Sequence, residues 1–168
     1  ALAIISCFET NPSAVAEAIT SFEGLANRCR PVAEIDGIRW YDDSKATTPV
    51  STMAALNGID EPKVLIAGGY DKKISFAELG VCIAARAKAA VLIGQTAPSI
   101  AKAVRAAGPT ACAVTFADSM EQAVQTAHAL AESGDVVLMS PACASYDMFK
   151  NYTQRSEAFI AAVNALKR

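Results

Sequence analysis

The sequence predicts an α/β domain of Rossmann-like type, a mostly parallel sheet with helices on both faces. Three observations carry that expectation. Short runs rich in Val, Ile and Leu recur between Lys63 and Pro141, helical patterns alternate with them, and the runs lack the in-out alternation of a half-solvated strand. A strand covered on both faces needs apolar side chains on both sides, so unbroken runs separated by helices imply crossover connections and parallel pairing. The length of 168 residues leaves room for one such domain with its own core and not for a second full one. With 52% hydrophobic and 19% charged residues, neither a disordered nor a fibrous chain is indicated.

Each element has its own signal. The opening ALAIISCFE reads as the tail of an apolar helix. Asn11 and Pro12 then offer an N-cap and a first-turn proline to a helix over SAVAEAITSF, which EGLANR closes with Gly24. Residues 1–29 therefore look like the end of another domain, with the domain proper at 30–168. VAEI and IRWY flank Asp36-Gly37, a hairpin signal, because a tight turn of this kind needs positive φ at both positions. The alternation follows. Helix VSTMAALNG leads to strand KVLIAGG, helix FAELGVCIAARA to strand AAVLIG, and helix PSIAKAVRAAG to strand ACAVTF. Helix MEQAVQTAHALAES leads to strand DVVLMSP, and YTQRSEAFIAAVNALKR forms a last helix.

Charge and cysteine usage narrow the function. The net charge is −2 and Lys and Arg are spread along the chain rather than gathered into a run, which argues against nucleic acid or an anionic membrane and for a small ligand. No apolar segment reaches the roughly 20 residues that span a bilayer, and the opening lacks a secretory pattern, so a cytoplasmic protein is expected. Cys7, Cys29, Cys82, Cys112 and Cys143 are odd in number and widely spaced, which predicts buried thiols rather than disulfides or a zinc site. His128, the one histidine, is expected to be a packing or surface residue.

In open α/β sheets ligands bind beyond the carboxyl ends of the strands, and three polar clusters fall there. YDDSKATTP places Asp42, Asp43, Ser44, Lys45, Thr47 and Thr48 between a strand and a helix that Thr48 could cap and Pro49 could open. The exposed N–H groups of a helix start favour a carboxylate or phosphate, and Lys45 would add a full charge. A plainer reading makes Asp43 and Thr48 caps and Lys45 a solvated side chain. AGGYDKK ends a strand with Gly68 and Gly69, which allow a close backbone approach, followed by Asp71, Lys72 and Lys73. VVLMSPACASYD runs into Ser140, Cys143 and Ser145, with a short helix expected to begin near Ser145, Tyr146 and Asp147. With no histidine nearby, Cys143 reads as a buried thiol, and Ser140 and Ser145 lack a base that would make them nucleophiles. No GxxxxGK[ST] or GxGxxG motif occurs, so use of ATP in the ordinary way would need a further domain.

WYDDSKATTPVSTMAALNG, IAGGYDKKISFAEL and LMSPACASYDMFKNYTQRSEAF resemble, in order and separation, the carboxy-terminal domain of the Mur ligases, in the branch that adds D-glutamate. The resemblance runs from about Arg28 to Phe159, and makes residues 1–29 the end of the central ATPase domain. It implies an ATP-dependent amide ligase of peptidoglycan synthesis. The lactoyl-L-alanine carboxylate of UDP-N-acetylmuramoyl-L-alanine becomes an acyl phosphate, and the amine of D-glutamate attacks it. ATP and Mg²⁺ would be held mainly by the central domain, and the amino-terminal and central domains would be the partners, so this chain alone is expected to be inactive.

Position by position, the resemblance implies that Lys72 and Thr47 take the α-carboxylate of D-glutamate. Ser145, with the backbone around Tyr146 and Tyr152, would take the side-chain carboxylate. Arg28 would reach the ATP phosphates and Asp43 the ribose, with Lys45 and Asp43 nearest the chemistry. Asn27 and Arg30 stand where the family has His and an acidic residue, Thr48 where it often has Asn, and Tyr152 where it often has Phe. The alternatives are a folylpolyglutamate-type or other amino-acid-adding ligase, and a non-catalytic α/β module that binds small anions. No Asp-Asn-Pro-Arg motif of the diaminopimelate and lysine adders is found.

Overall fold

A computed structural model describes residues 11–22 and 24–167, so the expected opening helix lies outside the described residues. Asn11 caps α1 (Pro12–Thr20), its side chain accepting from the Ser13 amide at 2.9 Å. This helix buries none of its residues. It ends before Gly24, which lies in the following loop at φ 82° and does not cap it.

The hairpin forms as expected, from β1 (Arg30–Ile35) and β2 (Ile38–Asp42), antiparallel, with Asp36 and Gly37 at φ 54° and 74°. Both values fit a type I′ turn. The hairpin is not a separate appendage, however. β2 pairs in parallel with β6 (Val136–Met139), and a six-stranded sheet runs β1-β2-β6-β3-β4-β5 through β3 (Lys63–Gly68), β4 (Ala89–Ile93) and β5 (Ala113–Phe116). Every pair except β1-β2 is parallel.

Side chains alternate between two cores. Leu65, Ala67 and Leu138 face α2 (Pro49–Gly58), α3 (Ala77–Arg86) and α4 (Ala97–Ala106). Val64, Ile66, Val137 and Met139 face α5 (Met120–Leu130) and α6 (Tyr152–Ala165), together with Trp40 from the hairpin. β3, β4 and β6 are buried throughout, as unbroken apolar runs require. β5 departs from that pattern because it is the sheet edge, and its residues are half-buried or exposed.

His128 of α5 reaches the hairpin turn, its Nε2 lying 3.0 Å from Asp36 Oδ2, and its ring stacks on Trp40 with 6.2 Å between centroids. It packs, as expected. The cysteine expectation holds for Cys112 and Cys143, which are buried, while Cys29 is exposed because its loop runs over the surface. All four described cysteines are free thiols. No described helix is long and apolar enough to cross a membrane.

Candidate functional site at the strand ends

The register decides where the three polar loops go. Asp42 pairs with Met139, and Met139 with Ile66, so β2, β6 and β3 reach the same edge of the sheet side by side. Because all three are parallel, the loops after Asp42, Gly68 and Met139 leave in one direction. They are also stitched together. The Gly68 amide donates to Pro141 O at 2.8 Å, Tyr70 N to Ala144 O at 2.9 Å, and Asp43 N to Met139 O at 2.9 Å.

Glycine is required at the centre of this seam. Gly69 has φ 146°, and a Cβ there would come within 2.3 Å of Ala144 O. Its amide donates to Thr96 Oγ1 at 3.0 Å, which ties the β3 loop to the start of α4. The expected helix at Ser145 is replaced by a turn in which Ser145 O accepts from Met148 N and Phe149 N at 3.1 and 2.8 Å. The close approach of this loop to Tyr70 leaves a single turn in that space, and the helix waits until Asn151 caps α6 through Gln154 N at 2.8 Å.

Lys72 and Thr47 meet. The Lys72 ammonium is exposed and lies 3.4 Å from Thr47 O, bridging two of the loops. Its neighbour Lys73, at φ 59°, is held by Asp71, whose carboxylate takes both the Lys73 amide at 2.7 Å and the ammonium at 2.9 Å. Lys45 is exposed and stands over the Tyr152 ring, 5.7 Å from its centroid. Ser145 is buried at the base of the third loop, while Tyr146 projects outward and meets Tyr70 edge-on at 6.2 Å. Thr48 does not cap α2 with its side chain. Its hydroxyl pairs instead with Ser51 Oγ at 3.0 Å, and Pro49 opens the helix as expected.

Asp43 is buried and is no helix cap. Its Oδ1 accepts from Cys29 N at 3.2 Å and its Oδ2 from Ser140 Oγ at 2.7 Å. Burial raises its pKa above the ordinary aspartate value, against the opposing hydrogen bonds. Arg28 and Asp43 line one cleft of about 450 Å³ against α2, with Ser51 and Gly58 on its far wall. A carboxylate has about four lone-pair sites, and Asp43 accepts two hydrogen bonds, from Cys29 and Ser140. Burial pushes the Cys143 thiol up to about 11, which removes it as a nucleophile near neutrality.

Sequence reasoning gave no role to Arg155, Thr96, Ser156 or Asn27. Asp42, buried, collects Ser44 N and Oγ at 3.0 and 2.6 Å, Ser156 Oγ at 2.6 Å and Asn27 Nδ2 at 3.0 Å. Arg155 is 1% exposed and joins Ser44 O to Cys143 O. An arginine in the first turn of an otherwise ordinary helix carries no local signal of burial, and only the tertiary contacts reveal it.

Comparison with known proteins gives the family and the fold. Residues 27–143 match the family described as Mur ligase, glutamate ligase domain. The chain is 44% identical over 168 residues to a UDP-N-acetylmuramoylalanine--D-glutamate ligase of Methylobacillus flagellatus, covering 100% of this chain and 36% of that protein. It is 47% identical over 151 residues to the protein of that name from Nitrosospira multiformis, covering 90% and 31%. The chain thus spans about a third of the length of these relatives. Among solved structures, a bifunctional folylpolyglutamate synthase/dihydrofolate synthase of Yersinia pestis aligns with TM-score 0.61 at 16% identity, over 96% of this chain and 36% of that one. A murein peptide ligase of Psychrobacter arcticus aligns with TM-score 0.56 at 20% identity, over 88% and 32%. At such identities these two speak for the fold.

Proposed function

Since the chain belongs to the Mur ligase family through its glutamate ligase domain, we propose that it is the amino-acid-binding domain of a cytoplasmic, ATP-dependent ligase. That enzyme would join D-glutamate to UDP-N-acetylmuramoyl-L-alanine in peptidoglycan synthesis. Residues 30–168 form the binding domain in this reading, and 1–29 belong to the end of the central one. The observation that carries it is the Lys72 ammonium lying against Thr47 O, where loops from two strands converge above a third.

D-glutamate presents two carboxylates and one amine. Lys72, with Thr47 beside it, takes the α-carboxylate as a charge-assisted hydrogen bond. Ser145 and the backbone of the turn through Tyr146, with the start of α6 at Tyr152, take the side-chain carboxylate. Two anchored carboxylates fix the direction of the amine, and orientation of this kind lowers the barrier by converting an encounter into a positioned attack. The deprotonated amine attacks the acyl carbon, the C–N bond forms as the C–O bond to phosphate breaks, inorganic phosphate leaves, and the proton shed by the nitrogen passes to phosphate or solvent. Lys45 stands close to that approach. Arg28 and Asp43, in their shared cleft, would meet the phosphates and ribose of ATP as the domains close. No group of three or more His, Cys, Asp or Glu that could hold a metal ion is found among the described residues, and the reading assigns Mg²⁺ mainly to the central domain.

Titration of the chain with D-glutamate, followed by amide chemical shifts, tests the assignment. Movement at Lys72 and Ser145 that saturates is the expected result, with L-glutamate run in parallel. Unchanged spectra at millimolar D-glutamate would count against a preformed site, and shifts confined to the exposed face of α4 would contradict the placement.

A further inference from the structure

We infer that Arg155, in the first turn of α6, is the positioning residue that holds the three loops as one cradle for a dicarboxylate. This deepens the function proposed above and rests on it for the identity of the ligand. The guanidinium bonds the first and third loops of the site and lies next to the second at Gly69. Nη2 donates to Ser44 O at 2.8 Å and Nη1 to Cys143 O at 3.0 Å, while a Cβ built on Gly69 would lie 3.3 Å from Nη1. Ser44 stands next to Lys45 in the first loop, Gly69 precedes Lys72 in the second, and Cys143 precedes Ser145 in the third. One rigid fork therefore sets the separation of the first and third strand-end backbones, with the second passing beside it at Gly69, where a side chain would crowd Nη1.

Nothing else about Arg155 explains why a cation is retained there. It is 1% exposed, and no ion pair among the described residues includes it. Its Nε is buried without a partner. The carboxylates acting on it through space make no hydrogen bond or ion pair with it: Asp42 serves Asn27, Ser44 and Ser156, and Asp147 accepts from Gln95 N at 3.0 Å through Oδ2 while its Oδ1 is buried without a partner. Desolvation lowers its pKa to about 10, which still leaves it charged near neutrality. Buried charge without a counter-ion is costly, and an apolar side chain of similar volume commonly fills such a space at no loss of stability. A planar fork spanning two carbonyls is something neither an apolar residue nor a lysine reproduces. Its positive charge, beneath loops that carry Lys45 and Lys72, also favours anionic ligands above it in a medium that screens poorly.

The test uses the full-length protein that carries this chain, with Arg155→Lys and Arg155→Met compared to the unmodified enzyme. KM for D-glutamate is expected to rise about tenfold in Arg155→Lys, which keeps the charge and loses the fork, and further in Arg155→Met. KM for ATP should stay within about twofold, because the reading gives the nucleotide mainly to the central domain, while a loop-spacing defect acts first on amino-acid binding. Folded variants with an unchanged KM for D-glutamate, or with equal losses for every substrate, would overturn the proposal. If Arg155→Met does not fold, Arg155→Lys decides alone. Should the unmodified enzyme show no D-glutamate-dependent phosphate release, the functional reading fails by itself. The clamp is then judged from amide shifts of Arg155→Lys in this chain. Changes in all of 44–47, 69–72 and 143–146 support it, and changes in one loop only refute it.

Discussion

Two adjacent aspartates at the end of β2 show how much surroundings matter at the residue scale. Asp42 is saturated by donors from Ser44, Ser156 and Asn27 and ties its loop to α6. Asp43 has two donors, and its burial outweighs them, so its folded pKa stands above the unfolded value of 3.8. A raised carboxyl pKa means that the folded state holds the proton more tightly. The stability it confers is present below pH 3.8 and is lost as pH rises through the folded value. Asp43→Asn cannot ionise, and its amide can still donate to Ser140 Oγ. The melting temperature of this variant, relative to the unmodified chain, should therefore be higher at neutral pH than near pH 3.8. A difference that stays flat across that range would contradict the burial argument. Cys143 offers a second check. Its buried thiol, pushed up to about 11, should resist alkylation at neutral pH until the chain unfolds, as mapped by mass spectrometry, and rapid native labelling would contradict its burial.

At the scale of elements, two helical glycines make opposite predictions. Gly80 in α3 faces α4 so closely that a Cβ would lie 2.4 Å from the backbone carbon of Ala103. Ala in place of Gly gains up to about 1 kcal/mol of helix propensity, yet pushing two packed helices apart costs about 1–3 kcal/mol. The backbone of α4 cannot yield as a side-chain tip would, so Gly80→Ala should lower stability in a denaturant titration. Gly58, at the end of α2, has nothing within 4 Å of its missing Cβ, and Gly58→Ala should raise stability by about 0.5–1 kcal/mol. Propensity and pattern made most of these elements legible, because Val64 to Ala67 and Val136 to Met139 are unbroken apolar runs of strand length set between helical patterns. Local pattern was silent where neighbours decide the outcome. The turn at Ser145 replaces a helix because Ala144 pairs with Tyr70, and the hairpin joins the sheet because Asp42 pairs with Met139. Arg155 and the Asp42 network bring together residues more than a hundred positions apart, which no window along the chain could show.

For the whole molecule the deciding fact is proportion. The chain covers 36% of a relative to which it is 44% identical over its full length. What the described residues bring together is the meeting of two loops at Lys72 and Thr47, proposed above as an amino-acid cradle, and the cleft of Arg28 and Asp43 against α2, proposed as one side of a nucleotide site. Amide formation needs the acyl phosphate brought within bonding distance of the amine, and effective molarity is lost when the two reactants sit on surfaces that are not joined. Binding and turnover should therefore separate. Incubated with ATP, UDP-N-acetylmuramoyl-L-alanine and D-glutamate, the 168-residue chain should release no phosphate in response to D-glutamate, although its loop amides respond to the amino acid. The full-length protein should release phosphate in step with amide. If the chain alone turned over, the proposed division of labour would be wrong, since Arg28, Asp43, Lys45 and Lys72 would then have to carry phosphoryl transfer as well as amino-acid binding.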